Sequence, residues 1–151
     1  MDDTIQGGDF HFVVVLSMFN PSVTSRLLTG AIDALVQAGV PEDQTTVVRV
    51  PGAFEIPVVA QRLAQSGKYH AVICLGAVIR GETPHFEYIS AEVARGIGQV
   101  ALECTIPVIF GVVTTDTVDQ ANERSVIGGR NKGFEAGVAA VEMARLWATF
   151  P

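Results

Sequence analysis

Ala71-Val72-Ile73-Cys74-Leu75-Gly76-Ala77-Val78-Ile79, followed at once by Arg80-Gly81-Glu82-Thr83-Pro84-His85, decides how this chain folds. An uncharged run of this length, rich in β-branched residues, predicts a strand that is apolar on both faces and so belongs inside a sheet covered on two sides. The fixed φ and missing N–H of Pro84 suit the first turn of a helix, which is predicted over Pro84–Cys104 with Thr83 as its N-cap. A threonine hydroxyl, free amides and the positive end of a helix dipole favour a phosphate or carboxylate at that turn. His85 beside it is a side chain that exchanges protons near neutral pH. The same residues also describe a well-capped helix with no ligand, and the local sequence leaves both readings open.

Upstream, Phe10–Ser17 is a β-branched apolar run that predicts a strand. Val23, Leu27, Ala31, Leu35 and Ala38 then recur at helical spacing over Pro21–Ala38, and Gly39 supplies a stop. A short strand, Thr45–Val50, closes on Pro51-Gly52, and a helix is predicted over Phe54–Gln65, ended by Gly67. Downstream, Pro107–Val113 predicts a fourth strand, followed by a short helix near Val118–Arg124 and a last one over Asn131–Thr149. Gly128-Gly129 marks a turn between them, set among the basic residues Arg124, Arg130 and Lys132. Doubly apolar strands alternating with helices imply a parallel sheet, and right-handed crossovers make it a three-layer α/β sandwich. Residues 1–9 lack periodicity and are expected to form a flexible N-terminal arm, with a single domain over 10–151.

Hydrophobic residues make up 48% of the 151 and charged residues only 17%, which predicts that apolar surface is covered by subunit contacts. A net charge of −6, with scattered Lys and Arg, argues against a general nucleic-acid binder, so any anion must be captured locally. No run reaches the roughly 18 apolar residues of a membrane span, and Met1-Asp2-Asp3-Thr4 lacks the basic patch of a signal peptide. A cytoplasmic protein without a membrane partner is the expectation. Cys74 and Cys104 have no metal-ligand spacing and read as buried reduced thiols; a mid-strand position makes Cys74 a poor nucleophile. No lysine-bearing phosphate loop, GxGxxG or GxSxG is present, so neither a nucleotide cofactor nor a metal is indicated.

In open parallel sheets ligands sit beyond the carboxyl ends of the strands. Those ends carry Phe19-Asn20, Gly52-Ala53-Phe54-Glu55, the turn from Arg80 to His85, and Thr114-Thr115-Asp116. Phe19 reads either as a core residue or as a face for stacking a planar ligand. Glu55 is either a dipole-compensating acid or, beside the small Gly52 and Ala53, an acceptor for ligand N–H and O–H groups. Phe110 lies within the fourth strand as a core residue, or lines a pocket where subunits abut. Arg124 and Lys132 are exposed helix-end cations, or partners of the anion at the Gly81–His85 turn. His11 and His70 lie away from this edge and are given no role.

Taken in order, Phe19-Asn20, the Pro51–Pro57 segment PGAFEIP, GAVIRGETPHF from Gly76 to Phe86 and ERSVIGGRNKG from Glu123 to Gly133 resemble the 6,7-dimethyl-8-ribityllumazine synthase family of riboflavin biosynthesis. The resemblance runs from about Phe10 to the C-terminus and implies a flavodoxin-like sheet of order 2-1-3-4. It implies an enzyme that joins 5-amino-6-(D-ribitylamino)uracil to 3,4-dihydroxy-2-butanone 4-phosphate, releasing phosphate and water, with no cofactor. It further implies that Phe19, next to Asn20, stacks on the pyrimidine, that Ala53 and Glu55, flanking Phe54, contact the ribityl chain, and that Val78 and Ile79 offer backbone groups to the ring. Gly81, Glu82, Thr83 and Arg124 would hold the phosphate and His85 would transfer protons. Phe110, Arg124 and Lys132 would reach in from a neighbouring subunit of a pentamer, which in some members builds decamers or shells of twelve pentamers. The chain departs from the family pattern at Met18, usually basic, and at Ser125–Arg130, where a lysine-containing loop is common. The alternatives are a non-catalytic lumazine or flavin carrier, or a shell-forming protein, of the same fold, and an archaeal-type riboflavin synthase.

Overall fold

A computed structural model describes residues 9–151. The arm expected over 1–9 therefore lies, apart from Asp9, outside the described residues. Strands β1 (Phe12–Ser17), β2 (Thr45–Val50), β3 (Ala71–Ile79) and β4 (Val108–Thr115) form one parallel sheet in the order β2-β1-β3-β4. β1 lies in register with both neighbours, Phe12 opposite Thr45 and Ala71, and Val72 of β3 lies opposite Val108 of β4. Every residue of β1 and the first seven of β3 are buried, as strands covered on two faces must be.

Five helices supply the cover: α1 (Pro21–Gln37), α2 (Ile56–Ala64), α3 (His85–Glu103), α4 (Val118–Glu123) and α5 (Lys132–Ala148). Phe12, Val14, Leu16, Ile73 and Leu75 point to the face shared by α1 and α5, whereas Val13, Val15, Val72 and Cys74 point to α2 and α3. This is the period-2 alternation of a strand, here apolar on both sides. α1 and α5 pack so closely that a Cβ added at Gly133 would lie 1.9 Å from the Leu27 carbonyl oxygen. Glycine at that position is what lets α5 begin against α1, and the loop before it is set by that contact.

Local chemistry moved several boundaries. β1 begins at Phe12 rather than Phe10, because the Phe10 carbonyl is taken by the Gln44 side-chain amide at 2.7 Å while its buried ring packs edge-on to Phe12 and His70. The His11 amide donates to His70 Nδ1 at 2.9 Å, so these two histidines tie the start of β1 to the start of β3. The helix expected from Phe54 is a 3-10 turn over Ala53–Glu55 followed by α2, whose first turn tolerates Pro57 because an N–H there needs no partner. Pro84, not Thr83, occupies the N-cap of α3, with φ −70° and ψ 4° and no side-chain capping bond. The Thr83 hydroxyl instead accepts a long bond, 3.4 Å, from the His85 amide. The helix stops Gly39 and Gly67 take φ of +92° and +77°, the left-handed conformation glycine accepts without strain.

Candidate active site

The chain turns from β1 to β2 in one direction and to β3 in the other, which opens a crevice at the carboxyl ends of β1 and β3. A cavity of about 320 Å³ occupies it, within the size range of small-molecule sites. Its walls come from Phe19 and Asn20 after β1, Gly52–Glu55 after β2, Val78 and Ile79 of β3, Gly81, Thr83 and His85 after β3, and Phe86 and Ile89 of α3. Ten residues expected in a site thus share one space. Glu82 does not: it is exposed and outside the lining.

Asn20 explains how the aromatic wall is raised. It sits in the left-handed region at φ 60° and ψ 58°, and its side-chain amide donates to the Ala77 carbonyl at 3.0 Å. The chain reverses sharply there, between the buried Ser17 and the start of α1, leaving Phe19 69% exposed at the rim. Phe54, 58% exposed, stands beyond the end of β2. Large aromatic surfaces left open beside a mostly apolar crevice suit a planar ligand. Gly81 has no neighbour within 4 Å of an added Cβ, so packing does not demand glycine there and the space above it is open.

Phe110, Arg124 and Lys132 lie elsewhere. They line a second cavity of about 320 Å³ along β4, with Thr114, Arg130 and Glu135, and it shares no lining residue with the first. Arg124 is the C-cap of α4 and reaches the Thr114 carbonyl at 3.5 Å; its own carbonyl accepts from the Lys132 amide at 2.8 Å. Between them the loop is pinned by an antiparallel bridge, Ser125 to Asn131, and by the buried Asn131 amide, which donates to the Ser125 and Arg26 carbonyls. The segment that departs from the family pattern is thus closed by its own hydrogen bonds, with Gly128 at φ +80° forming the turn. Three cations face one carboxylate in this cavity, and in a chain of net charge −6 such a concentration attracts an anion.

Gly52, read from the sequence as a small residue beside the ligand, lines the first cavity, whereas sequence reasoning missed Ala77, Phe86 and Ile89 there and Glu135 in the second. Ile89 was within reach, being one helical turn after His85 on the same face of α3. Cys74 is fully buried and desolvation pushes its thiol up to about 12, which removes it from nucleophilic chemistry. Burial, and then the Glu103 charge, raise Cys104 as well. Among the described residues no group of His, Cys, Asp and Glu is disposed to hold a metal ion, and no helix is long and apolar enough to cross a membrane.

The sequence profile of the family described as 6,7-dimethyl-8-ribityllumazine synthase matches residues 9–148. The chain belongs to the 6,7-dimethyl-8-ribityllumazine synthase family. A 6,7-dimethyl-8-ribityllumazine synthase of Desulfosudis oleivorans is 56% identical over 135 residues, which is 89% of this chain and 86% of that protein. As a lumazine synthase the protein is a transferase of riboflavin biosynthesis: it condenses 5-amino-6-(D-ribitylamino)uracil with 3,4-dihydroxy-2-butanone 4-phosphate to the lumazine, releasing phosphate and water.

Proposed function

We propose that the two cavities are halves of one catalytic site and that each site is completed by two subunits. The observation that carries this is the separation itself: the aromatic and carboxylate wall with His85 lines one space, and the arginine–lysine cluster lines another on the same chain. Phe110, 39% exposed on β4, and the arginine–lysine cluster of one subunit then close over the Phe19–His85 cavity of its neighbour. Apolar side chains such as Val58 and Leu102, 66% and 89% exposed, give the subunits further surface to bury. The assembly we infer is a cytoplasmic pentamer, about 80 kDa from subunits of 16.0 kDa.

Within that site Phe19 stacks on the pyrimidine, Ala53 and Glu55 receive the ribityl hydroxyls beside Phe54 and Asn20, and Val78 and Ile79 present backbone groups to the ring. Gly81 and Thr83 hold the phosphate with the backbone of Glu82, whose side chain is exposed and outside the cavity lining. Arg124 closes the phosphate from the neighbouring subunit, since a guanidinium fork matches its oxygens. The reaction adds an aromatic amine to a ketone, loses water to an imine, eliminates phosphate and closes a ring. Each step moves a proton between nearby atoms, and His85, at the mouth of the phosphate turn, is the group placed to carry it. Holding both substrates in one space contributes as much or more, through effective concentration.

The test is to mix the two substrates and follow lumazine absorbance and fluorescence, with light scattering on the same sample. His85→Ala should assemble normally and turn over about 10²- to 10⁴-fold more slowly. A wild-type rate in that variant removes His85 from the chemistry.

A further inference from the structure

Arg80 is the first residue beyond β3, and its amide still donates to the Thr115 carbonyl at 2.9 Å. Its guanidinium makes three contacts. Nε donates to Asp116 Oδ1 at 2.8 Å, Nη1 is paired with Glu87, and the guanidinium carbon lies 4.5 Å from the centre of the Phe86 ring. Phe86 and Glu87 are the two residues that follow His85 in the first turn of α3. The hydrogen bond from Arg80 holds the Glu87 carboxyl below the usual carboxylate range, so the pair stays ionised across the working pH.

Little else secures that turn. Residues 81–85 are exposed, Pro84 gives α3 no side-chain cap, and the Thr83 hydroxyl meets the His85 amide only at 3.4 Å. A cation at this position invites assignment as a phosphate ligand, but a guanidinium already paired with two carboxylates sits in a cluster of net negative charge, which disfavours an anion. From this arrangement we infer that Arg80 is a positioning residue, which clamps the first turn of α3 to the end of β4 and thereby aims His85 at the reacting atoms.

The inference rests on His85 being the proton-transfer residue. Exposed ion pairs contribute little to stability, so loss of Arg80 should appear in the rate and not in the melting curve. Misaiming a reacting group by about 1 Å costs up to about 100-fold.

The experiment is a double-mutant cycle on the assembled protein with Arg80→Ala, His85→Ala and the pair. Circular dichroism and light scattering confirm the fold and assembly of each. The expected result is a roughly 10- to 100-fold fall in kcat for Arg80→Ala, with KM for the phosphorylated substrate changed less than about threefold. In the His85→Ala background the same substitution should change the rate less than about twofold. Arg80→Lys, which keeps the charge but cannot bridge both carboxylates, should recover only part of kcat.

A selective rise in KM for the phosphorylated substrate would make Arg80 an anion ligand and overturn the inference. So would a rate loss that persists undiminished in the His85→Ala background, which is the mark of a general structural role. A slow His85→Ala beside a wild-type Arg80→Ala removes this inference alone. A wild-type rate in His85→Ala removes the reading beneath it as well.

Discussion

Asn20 carries two loads at once, and substitution can separate them. Its left-handed backbone, φ 60° and ψ 58°, disfavours a residue with an ordinary side chain, and its amide holds the Ala77 carbonyl at 3.0 Å beside the cavity. Asn20→Ala loses the hydrogen bond, about 1 kcal/mol, and places a Cβ in the left-handed region without the local bonding that lets asparagine tolerate it, about 1 kcal/mol more. Asn20→Gly loses the same bond but accepts the backbone freely, so its net cost should be about 1 kcal/mol. The alanine variant is therefore the less stable by about 1 kcal/mol, roughly 2–4 °C in midpoint for a domain of this size. Denaturation at one fixed protein concentration keeps the assembly term constant between variants. Both variants should also raise KM for the pyrimidine, because Phe19 is held at the rim by the reversal at Asn20. Equal stability of the two variants would falsify the argument from backbone conformation. An unchanged KM in both would show that Phe19 is positioned by something else.

Arg124→Ala should raise KM for the phosphorylated substrate about 10- to 150-fold, the equivalent of one to two charge-assisted hydrogen bonds, with kcat less affected; an unchanged KM there removes Arg124 from the anion site. Gly133→Ala should cost about 3 kcal/mol or more, because the added Cβ meets the backbone of α1 at 1.9 Å rather than a side chain that can swing away; a midpoint within 1 °C of wild type would show that α1 and α5 separate freely. Cys74 should resist a thiol reagent at pH 8 in the native protein and react on unfolding. Its folded-state value of about 12 lies above the model-peptide value of 9.0, so stability is intact below pH 9 and is lost as pH climbs from 9 toward 12, where only the unfolded chain ionises the thiol. Urea denaturation across that range measures the slope, and a shallower profile in the Cys74→Ala variant assigns the difference to this thiol.

The order and type of the elements were legible because β1 and β3 are apolar on both faces, a pattern few other architectures produce, and because Gly39 and Gly67 end helices in the conformation glycine alone takes cheaply. Boundaries set by single hydrogen bonds were not legible. Nothing local to Phe10 shows that Gln44, distant in sequence, takes its carbonyl and excludes it from β1. The threonine-before-proline pattern pointed to a Thr83 cap, but Pro84 itself adopts the non-helical ψ of 4° and the helix starts one residue later. The site was legible at the level of strand ends, since parallel topology fixes which end carries ligands. Which residues share a cavity was not, because periodicity does not show on which side of a strand end a loop comes to lie.

That last point decides how the site is built. The crevice between β1 and β3 lies inside the sheet order, so the loops after β1, β2 and β3 can wall it from one chain. β4 is an edge strand, with no strand beyond it among the described residues, and an uncovered edge is a surface ready for pairing or packing. Phe110, 39% exposed, lines a cavity along that strand with Arg124, Arg130 and Lys132. A cluster of cations at an open edge gains little from surrounding water, where it is solvated and screened, and far more when a closing surface brings a phosphate to it in a drier space. Among the described residues no Lys or Arg lines the first cavity, and the nearby Arg80 is paired with Asp116 and Glu87. The proposed function packs a second copy of the chain against the β4 edge, which would bring the Arg124, Arg130 and Lys132 cluster of one subunit to the Gly81–His85 turn of the other.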